Sequence, residues 1–314
     1  MKNITLRQLH SLLAIRRLGK ISAAADELGL TGPAVTLQLK QLEDQLGAPL
    51  FDRRRDGLQP TIAGEAALRA ARDIELRLRQ FFEEIDRISD ANAGRLRIGA
   101  VSTAKYFAPT LMAAFRQLHP GIEISLTVGN RGAIIDALRE FEIDLALMGR
   151  PPRDFQVRAQ VFGDHPLVII APPTHRLAQM RNITKEELLN EAFIVREAGS
   201  GTRSSLDIFM GDVVGWTDRR FPEMTSNETI KQAVMAGIGI AFISAHTIAM
   251  ELGLGRLVIL DVLGMPIRRQ WYSVSRTDLS ASPAMYAFNT FLVGQGARHL
   301  PFIPTIYPTG SGAK

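Results

Sequence analysis

Leu6, Leu9, Leu12, Leu13 and Leu18 recur near the helical period at the start of the chain. Thr5 is placed to cap this first helix and Gly19 to end it. Ser22 is placed to cap a short second helix over residues 23–28, whose alanines admit a close neighbour. Gly29, Leu30 and Thr31 make a turn. Pro33 then opens a third helix with Val35, Leu39, Leu42 and Leu46 inward, and Gly47 stops it. Two helices joined by a short glycine-bearing turn predict either a helix-turn-helix or an ordinary helical hairpin. Residues 50–61 then read as a short hairpin. Beyond Thr61, the residues Ala67, Ala71, Ile74, Leu78, Phe81, Ile85 and Ile88 are spaced 4, 3, 4, 3, 4, 3. That heptad seam predicts a dimerising helix rather than one laid on a core, which would carry a wider stripe. Residues 90–94 read as a hinge.

From residue 95 the period changes. Strand-like apolar runs at 96–101, 122–128, 144–147, 167–170, 193–195, 240–243 and 257–260 alternate with helical segments. Such alternation predicts parallel sheets covered by helices, and two series of it predict two α/β lobes.

Charge sharpens the reading of the N-terminal helices. Residues 1–60 hold nine Lys/Arg against six Asp/Glu, within a chain of 314 residues and net charge +5. Thr31, Thr36, Gln38, Lys40 and Gln41 give the third helix a face of donors with no acid before Glu43. DNA readers place the start of such a helix in the major groove, where these donors meet base edges. Arg53, Arg54 and Arg55 fall in the hairpin, where they neutralise phosphates or form a solvated surface. This favours a winged helix-turn-helix over a plain hairpin.

Ligands of open α/β sheets sit beyond the carboxyl ends of the strands. Three such ends carry hydroxyls at a helix start: Ser102-Thr103-Ala104-Lys105, Ser200-Gly201-Thr202-Arg203 and Ser226-Asn227-Glu228-Thr229. Each alone reads as an N-cap; converging on one cleft, they make an anion site. Asn130-Arg131 and Gly149-Arg150 face the same cleft. Lys105, Arg131, Arg150 and Arg203 then suit a polyanion such as a sugar phosphate, or else lie on solvated surface. His246, just after a strand, either touches ligand or is structural.

Other classes fall away. The chain has no cysteine, so disulfides and thiolate chemistry are excluded. The histidines make no HExxH pair, and GxSxG and GxxxxGK[ST] do not occur. Gly237-Ile238-Gly239 precedes a strand rather than following one. No catalytic or metal site and no cofactor is expected. No apolar run is long enough to span a bilayer, and Arg16, Arg17 and Lys20 come too soon for a secretory signal, so a cytoplasmic protein without a membrane partner is expected.

Ile21-Ser22-Ala23-Ala24-Ala25, Leu30-Thr31-Gly32-Pro33-Ala34-Val35-Thr36, Leu42-Glu43-Asp44-Gln45-Leu46-Gly47, Leu50-Phe51-Asp52-Arg53 and Thr61-Ile62-Ala63-Gly64 resemble the winged helix-turn-helix of LysR-type transcriptional regulators. Gly32 stands where that family usually has a polar residue, and Asp56 where a wing arginine is common. Val101 to Pro109, Met148 to Pro152, Val195 to Arg203, Ser226 to Gly237 and Arg269 to Tyr272 resemble its Calvin-cycle (RuBisCO) operon regulators, the CbbR type. The resemblance implies an α/β protein with an N-terminal all-α winged helix-turn-helix, a long dimerisation helix and a two-lobe effector domain like periplasmic binding proteins. The expected boundaries are 1–60 for the DNA-binding domain, 61–92 for the linker helix and 95–300 for the effector domain. Lobe one is 95–163 plus 269–300, lobe two is 164–268, and 301–314 is a flexible tail. Ser22, Thr31, Pro33, Ala34, Thr36, Gln38, Lys40 and the three wing arginines would face promoter DNA. Ribulose 1,5-bisphosphate, and sometimes NADPH, would be the effector. RNA polymerase and further copies of the chain, as a homodimer or homotetramer, would be the protein partners. The alternatives are a LysR-type regulator of another pathway, or a solute-binding protein with a helical appendage.

Overall fold

The computed structural model describes residues 3–54, 57–89, 94–216, 221–278, 281–304 and 306. The chain divides into two compact units, Met1–Ile88 and Ser89–Lys314.

In the first unit, α1 (Leu6–Leu18) starts at a capping box in which Thr5 and Gln8 satisfy each other's backbone N–H. It ends on Gly19 at φ 69°, a left-handed conformation that favours glycine. The second helix, α2 (Ile21–Leu28), begins one residue before Ser22. Lys20 occupies the N-cap without a side-chain bond, so Ser22 is an exposed first-turn residue and caps nothing. Thr31 caps α3 (Gly32–Leu46), with Pro33 in its first turn. Leu9, Leu12, Ile15, Ala24, Ala25, Val35, Leu39 and Leu42 close one core over these helices. The strands β1 (Phe51–Arg54) and β2 (Gly57–Pro60) pair antiparallel to form the wing. Arg55 lies outside the described residues, as do the side chains of Arg53 and Arg54.

The long helix α4 (Ile62–Ser89) splits the predicted seam. Ala71 is fully buried with its neighbour Leu68 in the three-helix core, and Ala67 packs at its edge. These small side chains let α4 approach the core, so the start of the seam serves its own unit. Ile74, Phe81 and Ile85 are exposed. The predicted hinge lies largely outside the described residues.

The second unit holds a nine-stranded sheet. β3 (Gly94–Val101), α5 (Ala108–Leu118), β4 (Ile122–Gly129), α6 (Arg131–Arg139) and β5 (Leu145–Met148) build one parallel end, in the order β4-β3-β5. The strand β6 (Val157–Ala171) then runs into the other lobe. There α7 (Lys185–Leu189), β7 (Phe193–Arg196), α8 (Gly201–Met210), β8 (Glu223–Met224), α9 (Asn227–Met235), β9 (Ile240–Ser244), α10 (Ala249–Gly253) and β10 (Val258–Ile259) follow. β11 (Ile267–Arg276) returns, and α11 (Pro283–Gln295) packs on the first lobe. Parallel pairing holds within each lobe, but β6 and β11 are antiparallel to each other and to their neighbours β9 and β5. An antiparallel ladder is the geometry available to two strands that run across and back.

Leu96, Ile98, Phe107, Phe115, Trp271 and Phe288 anchor one core. Ile169, Phe193, Leu206 and Phe242 lie on one face of the other lobe's sheet, and Ile170, Ile230, Val234 and Ile243 on the opposite face. The expected flexible tail is corrected at its start. Ile303 is fully buried and Ile306 nearly so in that last cluster, because both are apolar and an apolar surface is open to them there.

Candidate functional site

Helix α3 presents Thr31, Pro33, Thr36 and Lys40 to solvent, with Ala34 half-buried between them. Thr31 Oγ1 accepts from Ala34 N at 3.4 Å, and Thr36 Oγ1 donates to the Gly32 carbonyl at 2.9 Å. Gln38 is half-buried and its amide oxygen is engaged within the protein. Its Oε1 accepts from the buried Ser11 hydroxyl at 2.5 Å, so the amide ties α3 to α1.

The second unit contains a cavity of about 420 Å³ at the carboxyl ends of β3, β5 and β7. Nine of the predicted ligand residues line it: Ser102, Thr103, Asn130, Arg131, Gly149, Arg150, Ser200, Gly201 and Thr202. The chain folds this way for local reasons. Asn130 Oδ1 accepts from Ala133 N at 2.9 Å and starts α6. Ser200 Oγ accepts from Thr202 N at 3.3 Å and starts α8. Two positive helix ends thereby border one cavity.

Six predicted residues lie outside the lining, and each has found a protein partner or an open position instead. Lys105 Nζ pairs with Glu228 Oε2 at 2.8 Å, and the Tyr106 hydroxyl donates to Glu228 Oε1 at 2.6 Å. Partial burial pulls the Glu228 carboxyl upward, but hydrogen bonds from Lys105, Tyr106 and Ser226 outweigh it and hold the pKa down to about 2. Arg203 pairs with Asp207 one helical turn on, at 3.0 Å. Asn227 is buried and accepts from Arg196 Nη1 at 2.7 Å. Thr229 is exposed, its N–H given to the Ser226 cap. His246 is buried at the edge of Trp271, whose Nε1 donates to His246 Nδ1 at 3.0 Å.

The cavity also uses residues that the pattern did not reveal: Arg153, Asp154, His165, Arg196, Ser205 and Arg269 among them. Arg196 had a signal, a charge closing the fully buried strand β7. Its guanidinium donates to Glu197 Oε2 and Oε1 at 2.7 and 2.8 Å, to Asn227, and to Ser102 Oγ at 3.2 Å. Its charge is therefore matched within the protein. Asp154 is taken by Arg139. Among the described residues, Arg131, Arg150 and Arg269 have no carboxylate within ion-pair distance. Arg131 Nη2 donates only to the Arg150 and Pro151 carbonyls, and its buried Nε has no partner. Burial, and then the charge of Arg150, lowers the pKa of both Arg131 and Arg269, for Arg131 against a smaller upward pull from Asp154. This is an electropositive hollow that an anion would relieve. Among the described residues no cluster of metal-ligating side chains occurs, and no helix is long and apolar enough to cross a membrane.

Burial also pushes the His246 pKa down to about 4. Between about pH 6.5 and 4 the unfolded chain takes up a proton that native His246 refuses, so stability falls as the pH falls through that window. The second unit should be less stable at pH 4.5 than at pH 7 by roughly 1–3 kcal/mol in urea unfolding. His246→Gln, which keeps an acceptor for Trp271, should remove part of that slope; an equal slope in both proteins would refute a neutral buried His246.

A reading head built on a helix-turn-helix and a cavity between two α/β lobes together define a ligand-responsive DNA-binding regulator. The comparisons with known proteins agree. Residues 6–65 match the model of the bacterial regulatory helix-turn-helix protein, lysR family, and residues 89–297 that of the LysR substrate binding domain. The chain belongs to the LysR family of transcriptional regulators, and its relatives are regulators rather than enzymes. It is 58% identical over 311 residues, 99% of each chain, to the HTH-type transcriptional regulator CbbR of Sinorhizobium medicae. It is 44% identical over 296 residues to the RuBisCO operon transcriptional regulator of Allochromatium vinosum, covering 94% of this chain and 98% of the relative. Among solved structures it resembles the Synechocystis PCC6803 CcmR regulatory domain in complex with 2-PG. The TM-score there is 0.59 at 38% identity, over 64% of this chain and 96% of that one.

Proposed function

We propose that this regulator controls carbon-fixation genes and answers to a phosphorylated metabolite held between the lobes of its second unit. Ribulose 1,5-bisphosphate is the first candidate and NADPH a further one. The observation that carries the reading is the cluster of Arg131, Arg150 and Arg269 around a cavity whose one acid, Asp154, is paired with Arg139. The relatives that regulate the RuBisCO operon support the target genes, and the 2-PG complex of the CcmR domain supports the ligand class. In this reading the exposed Ile74, Phe81 and Ile85 of α4 meet a second copy, and pairs of dimers form a homotetramer. Thr31, Pro33, Thr36 and Lys40 read promoter DNA in the cytoplasm, the wing arginines hold its phosphates, and RNA polymerase is the downstream partner. Ligand acts by differential affinity for two arrangements of the lobes.

Fluorescence anisotropy on a carbon-fixation promoter fragment tests this, with and without ribulose 1,5-bisphosphate, at two salt concentrations and against scrambled DNA. Specific binding that shifts with the metabolite is expected. Equal binding to scrambled DNA would overturn the target. Thr202→Ala should leave DNA affinity within about twofold and weaken the metabolite response about tenfold, the loss of one good hydrogen bond to a charged group. An unchanged response would take the start of α8 out of the ligand site.

A further inference from the structure

His165 stands in the middle of β6, directly opposite Arg269 on β11. Opposed residues of a ladder leave the same face, and both side chains line the cavity. His165 is only 6% exposed, and neither Nδ1 nor Nε2 has a hydrogen-bond partner. The imidazole is nevertheless held firmly. It stacks on Trp271 with ring centres 3.8 Å apart and planes inclined by 17°. It also fills the space left by Gly149, where a Cβ would fall 2.5 Å from Nδ1. Buried polar atoms in folded proteins are nearly always bonded, so a fixed imidazole with two idle nitrogens in a cavity wall marks a missing partner.

The surroundings say what that partner is. Arg269 lies beside His165 on β11, and the His246 ring lies as near to His165 as to the indole, with ring centres 6.4 Å apart in both cases. The lining also carries Arg131, Arg150, Arg153 and Arg196, against the single acid Asp154. Asp164, next on β6, is exposed and falls on the opposite face. Burial first, then His246 and Arg269, hold the His165 pKa well below the usual imidazole range, so the ring is neutral while the cavity is empty.

We propose that His165 binds the anionic group of the ligand directly, and that an occupied cavity draws a proton from solvent onto its imidazole. The inference rests on the reading of this cavity as a site for a phosphorylated ligand. An anion offsets the field of the arginines and gives acceptor oxygens to an imidazolium, which has two N–H donors and no acceptor. The sign follows: the ring is neutral when free and protonated when bound, so affinity falls as pH rises, approaching about tenfold per pH unit for one linked proton.

The experiment is calorimetry on the full chain with ribulose 1,5-bisphosphate, from pH 6.5 to 8. At each pH two buffers of different ionisation enthalpy are used, so that proton uptake is read from the wild type itself. His165→Gln and His165→Asn follow, each first shown to keep specific DNA binding and an unchanged thermal transition. The expected result is proton uptake by the wild type in excess of either variant, which also removes the ligand's own titration. Affinity at pH 7 should fall about tenfold or more in both variants. Binding with equal proton uptake in wild type and variants, or with unchanged affinity in the variants, overturns the role of His165 and leaves the ligand reading standing. No binding of the sugar bisphosphate at any pH overturns both.

Discussion

Gly64→Ala is expected to unfold the DNA-binding unit while leaving the ligand cavity intact. Gly64 sits in the first turn of α4, and a Cβ there would lie 2.0 Å from the Leu50 carbonyl oxygen and 3.0 Å from its carbon. Backbone cannot swing aside as a side chain can. The Leu50 carbonyl accepts from Thr61 N at 3.0 Å, and the Leu50 side chain is fully buried. Thr61 in turn caps α4 by accepting from Gly64 N at 2.9 Å and donates to the Pro49 carbonyl at 2.7 Å. One methyl therefore pushes on a cap, a wing anchor and a core leucine together. Overpacking of this kind costs about 3 kcal/mol or more, a large share of a small unit's stability. Gly32→Ala is the control, since Gly32 has open space around its Cβ position and no left-handed backbone, so stability should hold or rise slightly. Both tryptophans, Trp216 and Trp271, lie in the second unit. Their fluorescence transition in urea should be unchanged in Gly64→Ala while helical circular dichroism is lost early and DNA binding disappears. A wild-type helical transition would refute the close approach.

What the sequence made legible was decided locally. Thr5, Gly19, Thr31 and Gly47 act on backbone within four residues of themselves, so their roles as caps could be read along the chain. The start of α8 at Ser200 was legible for the same reason, whereas Asn130, which caps α6, read only as part of a loop facing the cleft. The misses have a common cause. Lys105 carried the signature of an anion ligand, but Glu228, 123 residues later, claims its charge. Gln38 carried the signature of a base-reading amide, but its oxygen is claimed by Ser11, 27 residues earlier. His165 and Arg269 are opposed only because β6 and β11 pair antiparallel, a register no local pattern encodes. Ala71 belonged to a heptad seam by spacing and to a core by contact, and the core took it because it is small. A polar residue's chemistry is thus readable from sequence, but its partner is readable only when the partner is close in the chain.

Arg196 is the position where that lesson has its largest consequence. Its side chain is 2% exposed, and it joins residues far apart in the chain: Glu197 beside it, Asn227 on α9 and Ser102 after β3. Arg196→Ala would strand the Glu197 carboxylate, itself 12% exposed, without a counter-charge, and would leave the buried Asn227 amide oxygen unbonded. Breaking a buried pair by removing one partner costs about 3–5 kcal/mol, because the remaining charge stays desolvated. The fluorescence-detected urea transition should shift by that amount, the wing and helix-turn-helix should be unaffected, and the metabolite response should vanish with the cavity wall. Arg196→Lys should also be weakened, since an ammonium cannot span Glu197, Asn227 and Ser102 with one planar fork. The cause can be isolated by a pair of changes. If the stranded carboxylate dominates, adding Glu197→Gln to Arg196→Met should recover most of the stability lost by Arg196→Met alone. The response to metabolite should stay lost, because the wall beside Ser102 remains altered. Additive losses would locate the cost in packing around the guanidinium instead, and Arg196 would then be a filler of the cavity wall and not the ion that joins its parts.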